Sequence, residues 1–178
     1  MVKQVNFKIV CPYHIPEFIP IIKEWHKTEV IFEKGEAPSG RNVRQKYTKE
    51  FAGQDVWVHF LDCDNLIPKL VVEVFECYTH KPSIIMFGQV WWAHGPKRLN
   101  AKPENCVPTK CDIAQLFVHG SFLTDMTWSS DYENDGQFIA ELYKRYPNDF
   151  VFLNGTNVYY NALRPNTSLY NGEIIEIA

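Results

Sequence analysis

Three side chains stand where they could move a proton. His119 closes an apolar run, residues 113–118 (IAQLFV), while Glu73 and Glu76 lie inside another, residues 69–78. An imidazole with an ordinary pKa near ~6.5 suits general-base work at neutral pH, so His119 is the first candidate base and the two glutamates follow. The five cysteines, Cys11, Cys63, Cys77, Cys106 and Cys111, are odd in number and contain no C-x-x-C pair. That argues against a disulfide framework and against the tight cysteine pairs of zinc sites, so no metal is expected. No serine or cysteine elbow, P-loop or paired-carboxylate motif is found.

Strands and helices must alternate to position these groups. Residues 5–10 read as a strand. Residues 15–26 read as a helix, with Phe18, Ile21, Ile22 and Trp25 on one face. A loop at 35–40 offers Ser39 as N-cap for a helix over 41–51, whose Arg41, Arg44, Lys46 and Lys49 form a basic face expected to meet solvent. Three strands are expected next, over 56–61, 69–78 and 84–92, with a hairpin-like turn at 62–65 (DCDN) and a bulge or close backbone approach at Gly88. A long excursion, 93–110, precedes the strand at 113–118. A helix over 137–145, a strand over 149–153, an Asn-led helix over 157–163 limited by Pro165, and a closing strand over 173–177 complete the order.

A length of 178 residues fits one domain, 1–178, and 46% hydrophobic with 22% charged residues fits a packed core. The net charge of −3 gives no reason to expect nucleic acid as a partner. No apolar run approaches the ~20 residues that span a bilayer, so no membrane partner is expected. MVKQVNFKIV enters a strand pattern without signal-peptide architecture, which points to a cytoplasmic setting, in a cell, an infected host or a virion. A protein partner or a homo-oligomer stays open.

The order strand, loop, helix, strand, Asn/Tyr helix, strand resembles the acyl-CoA-binding half of the GCN5-related N-acetyltransferases. FKIVCPYHIPEFIPIIKEW is similar to that family's first strand and helix. The resemblance implies a mixed α/β fold, a central sheet flanked by helices, with acetyl-CoA as cofactor and an amine as acceptor. It assigns the cofactor pyrophosphate to backbone amides around Val118, Gly120 and Gly136. Asn157 would bond near the pantetheine arm, and Tyr160 would protonate the leaving thiolate. The implied reaction is direct attack of the amine on the thioester, with His119 or Glu73 as base. It would occur in a V-shaped gap between strands 113–118 and 149–153.

The chain departs from the family at the pyrophosphate turn. Fifteen residues separate Gly120 from Gly136. No Lys or Arg lies between Lys110 and Lys144, where Asp112, Asp125, Asp131, Glu133, Asp135 and Glu141 all fall. Carboxylates around a helix start complement its dipole themselves and repel a pyrophosphate. Two functions therefore stand. One is an acyl-CoA-dependent N-acyltransferase acting on an unidentified amine. The other is a catalytically inactive relative serving as a structural or binding protein, for example a phage virion or accessory protein.

Overall fold

The computed structural model describes residues 5–26, 29–36, 40–91, 96–131 and 133–163. Seven strands and four α-helices alternate along them. The strands are β1 (Phe7–Tyr13), β2 (Val30–Lys34), β3 (Trp57–Phe60), β4 (Ile84–Trp91), β5 (Lys97–Leu99), β6 (Leu116–His119) and β7 (Phe150–Tyr160). The helices are α1 (Ile19–Trp25), α2 (Arg41–Phe51), α3 (Lys69–Cys77) and α4 (Asn134–Arg145). The fold is mixed α/β, a seven-stranded mixed sheet flanked by helices. Among the described residues no helix is long and apolar enough to cross a membrane.

The sheet runs β2-β1-β3-β6-β4-β5, and β7 pairs with β4. β1 is parallel to β2 and β3, β6 is antiparallel to β3 and β4, and β7 is parallel to β4. Thus β1, β2, β3, β4 and β7 share one direction, and their carboxyl ends meet the start of β6 at one edge.

Alternation along the strands builds a core on each face. Phe7, Ile9, Trp57, Ile85, Phe87 and Phe117 belong to one cluster with Ile22 of α1 and Phe75 of α3. Val10, Val58, Phe60, Ile84, Met86 and Val118 belong to the other, with Val43 and Phe51 of α2 and Phe138, Ile139 and Leu142 of α4. Gly40, at φ +61°, turns the chain into α2 against Pro12 of β1.

Several expected elements differ. Residues 69–77 form α3 rather than a strand. Val71 and Phe75, four apart, are buried while Leu70 is 57% exposed, so the 3.6-residue period overrides the alternation of Leu70, Val72 and Val74. The 62–65 segment therefore links β3 to α3 and closes no hairpin. Residues 157–160 continue β7, pairing with Gly88–Trp91, so Asn157 and Tyr160 sit on a strand instead of a helix. The bulge expected at Gly88 is present: Phe87 pairs with Leu153 and Gly88 with Asn157, which leaves three residues of β7 looped out. The strand at 113–118 opens as a 3-10 turn, capped by Asp112, before β6. β4 lies between β6 and β7, so the gap expected between those two strands is filled. Ser39, Pro165 and the closing strand at 173–177 lie outside the described residues.

Two buried histidines set an acid limit on stability. His59 of β3 is fully buried, with Nδ1 2.9 Å from the Leu116 carbonyl. Burial lowers its pKa to about 3 and that of His26 to about 4. The unfolded chain binds these protons near pH ~6.5 and the folded chain does not. Their contribution is therefore complete above that pH and is lost as pH falls, toward 3 for His59 and toward 4 for His26, by about 1.4 kcal/mol per pH unit for each within its own window. Carboxyls raised in the folded state act in the opposite sense, so the difference between wild type and His59→Leu isolates the histidine. Urea unfolding from pH 7 to 4 is expected to show the variant gaining on the wild type with acidification. A constant difference would exclude this role.

Candidate functional site

β1 lies between β2 and β3, each reached through a helix, so the chain changes direction across the sheet at β1. Ligands of open α/β sheets bind outside the carboxyl ends of strands at such a switch point. β3 leads through Leu61 into Asp62, Cys63 and Asp64, and β1 leads into His14, whose Nδ1 is 3.8 Å from Cys63 Sγ.

Beneath this edge lies Arg44 of α2, 2% exposed, with its guanidinium 5.2 Å from the Trp128 ring centre. One guanidinium nitrogen donates to Asp62 and another to Asp135 Oδ1, at 2.5 Å, in the first turn of α4. Asp112, at the start of the β6 segment, accepts from the Ala114 amide and from Arg98 of β5, each at 3.0 Å. Arg98 also donates to Gln89 and lies 3.7 Å from the centre of the Tyr160 ring. Asp62, Asp112 and Asp135 each offer an oxygen within 4.8 Å of the other two.

The carboxyl pKa values are all raised. Burial is the main cause at each; a neighbouring carboxylate adds to it (Asp64 at Asp62, Asp62 at Asp112, Asp62 and Asp112 at Asp135), and it is opposed chiefly by Arg44 at Asp62 and Asp135 and by Arg98 at Asp112. Asp135 is pushed up to about 7. Three carboxylates meet two guanidiniums at this edge. An all-oxygen set of three carboxylates also suits a hard divalent cation such as Mg²⁺ or Mn²⁺. These three carboxylates could hold such a cation.

Of the residues singled out in the sequence, Tyr160 stands at this edge, its phenol pKa raised by burial. Asn157 lies three residues back along β7 and accepts from Lys97. Val118 is fully buried in the sheet, between Val58 and Ile84. Gly120 and Gly136 serve close packing: a Cβ on Gly120 would come 2.5 Å from the Phe51 carbonyl oxygen, and one on Gly136 2.8 Å from Pro108 Cα. His119 sits at the far end of β6, where Nε2 is 3.2 Å from Asp55 and Nδ1 is 2.9 Å from Ser121. There it lines a cavity of about 380 Å³ with Trp57, Glu76 and His80. Glu73 is exposed on α3 and pairs with Lys69. The proposed base and the pyrophosphate turn are therefore not assembled with Tyr160.

The sequence reading missed Arg44, Asp62, Arg98, Asp112 and Asp135 as a set. Asp62 and Asp64, two apart after an apolar strand, were the available signal and were read as a turn. Arg44 had another: with Tyr47, Thr48 and Phe51 it occupies positions i, i+3, i+4 and i+7, all buried.

No family model matches the chain, and no curated relative does. Among solved structures the chain is similar to the protein A197 from STIV, with a TM-score of 0.52 and 12% identity over 86% of this chain and 83% of that one. It is also similar to TarS 1-349 from S. aureus, with a TM-score of 0.57 and 14% identity over 88% of this chain and 60% of that one. At such identities the likeness shows the α/β fold.

Arg44→Met leaves Asp62 and Asp135 without their shared cation. The expected cost is about 3 kcal/mol in urea unfolding, the low end for a broken buried pair because both carboxylates keep some access to water. Arg44→Lys is expected to recover less than half, since an ammonium lacks the fork that reaches both carboxylates. Wild-type stability in either variant would show that the bridge holds nothing.

Proposed function

We propose that the chain transfers a glycosyl group from a nucleotide-diphosphate sugar to an acceptor hydroxyl. The observation that carries this reading is the convergence of Asp62, Asp112 and Asp135 at the carboxyl edge of parallel strands. An acidic set of that kind serves a phosphate-bearing substrate through a shared divalent cation. TarS is a glycosyltransferase, and the likeness to it supports the same class by fold analogy.

Asp62 and Asp112 would hold the cation, which would supply positive charge to the donor's diphosphate as the bond to the sugar breaks. Asp135 acts as the base. Arg44 fixes its orientation, and a carboxylate at hydrogen-bond reach of the acceptor can take up a hydroxyl proton. It takes the acceptor's hydroxyl proton as that oxygen forms a bond to the anomeric carbon. The bond from that carbon to the diphosphate oxygen breaks, and the nucleoside diphosphate leaves with the electron pair.

Acyl-CoA-dependent N-acylation is the second reading, favoured by Tyr160 at the same edge, where a phenol could protonate a leaving thiolate. The filled space between β6 and β7 counts against it. Titration with acetyl-CoA separates the two: micromolar binding weakened by Tyr160→Phe would put acylation first.

The direct test is nucleoside diphosphate release from UDP- and GDP-sugars in the presence of Mn²⁺. Asp135→Asn is expected to lower kcat by about 10²- to 10⁴-fold with donor KM within a few-fold. Asp62→Asn is expected to raise donor KM instead. Release unaffected by either substitution, or neither binding nor release with any nucleotide sugar, would overturn the reading.

A further inference from the structure

Arg98 differs from Arg44 in what it leaves unused. Arg44 is sealed beneath the edge, whereas the Arg98 side chain is 24% exposed. One terminal nitrogen, Nη1, makes both of its hydrogen bonds, to Gln89 and to Asp112. Nε and Nη2 donate to nothing among the described residues. That pair forms one straight edge of the guanidinium, the edge that binds two oxygens of a phosphate at once.

The plane of the group is already set. The Tyr160 ring lies 3.7 Å from the guanidinium carbon, with the Trp91 ring 5.7 Å from it and 4.9 Å from Tyr160. A stacked guanidinium has less rotational freedom to lose on binding than a free one. Its position is equally specific: Nη1 is 3.0 Å from Asp112, one of the three converging carboxylates.

Resting on the nucleotide-sugar reading, we propose that Arg98 is the diphosphate-binding residue of this site, its Nε–Nη2 edge taking two phosphate oxygens. Asp112 and Gln89 hold Nη1, Tyr160 holds the plane, and the unused edge faces the anion. As the sugar leaves, negative charge grows on the diphosphate and the contact strengthens, so Arg98 stabilises the leaving group. Arg44 does not share this work, because its terminal nitrogens are engaged by Asp62 and Asp135.

The test uses the full chain, Mn²⁺ and inorganic pyrophosphate, with two separate readouts. Mn²⁺ affinity alone is followed by the paramagnetic signal of free ion, and pyrophosphate affinity at saturating Mn²⁺ by calorimetry. Arg98→Gln is expected to weaken pyrophosphate about 10- to 100-fold while leaving Mn²⁺ affinity equal or higher, since a cation beside Asp112 has been removed. Arg98→Lys is expected to recover only part of the loss. Tyr160→Leu keeps the charge but frees the plane, and a several-fold weakening is expected. Unchanged pyrophosphate affinity in Arg98→Gln would overturn the assignment. If that variant also turns over nucleotide sugar with wild-type kinetics, the reaction class survives and Arg98 alone is excluded. If the wild type binds neither pyrophosphate nor a nucleoside diphosphate with Mn²⁺, both fall together.

Discussion

The guanidinium of Arg44 ties together segments far apart in the chain: α2 which carries it, the end of β3 through Asp62, and the start of α4 through Asp135. Burying a cation is costly, and two carboxylates within hydrogen-bond reach offset that cost only where their geometry is fixed. Here the geometry is fixed from outside. α2 and α4 are anchored by Val43, Phe51, Phe138 and Leu142 in one apolar cluster, and Trp128 packs against both the guanidinium and Phe138. The packing therefore sets the pair in place, and the pair in turn sets where the acidic edge can form.

Direction within the sheet explains why the chemistry gathers at one edge. Five strands share a direction, so the segments that follow β1 and β3 emerge on the side where Trp91 and Tyr160 end β4 and β7. β6 runs the opposite way, which brings Asp112 to that side at its beginning and sends His119 to the other at its end. Residues that look like partners on one strand are thus separated by its length, and residues remote in sequence become neighbours. The bulge in β7 contributes too: by looping out three residues after Leu153 it advances the register so that Tyr160 pairs beside Trp91.

The mixed α/β class, β1, α1, α4 and the strand beginning at 150 were legible because their apolar periods were long enough to be unambiguous, and the helix at 41–51 from the loop before it, although its basic residues were read as solvent-facing and Arg44 is buried. α3 was not: nine residues rich in Val and Leu satisfy a period of two and of 3.6 alike, and only burial on the sheet decides. Asn157 and Tyr160 were legible as residues with chemical capacity, but not as strand residues, since β4 supplies the pairing that a single segment cannot announce. The acidic edge was least legible. Asp62, Asp112 and Asp135 are separated by 50 and 23 positions in the numbering, and nothing local marks them as one group.

The run from Lys110 to Lys144 has no basic residue between its ends, and taken alone it should repel a diphosphate. In the folded chain that deficit is met from elsewhere, by Arg44 out of α2 and Arg98 out of β5. Compensation is incomplete, since three carboxylates face two guanidiniums. An edge left partly negative selects for an anionic ligand that arrives with a divalent cation and disfavours the anion by itself. Such an edge discriminates by charge balance: a diphosphate brings the cation with it, while a plain carboxylate of similar size has little means to do so. The same acidity that looks like a defect in a pyrophosphate loop is then the source of selectivity, because it makes binding conditional on the cation.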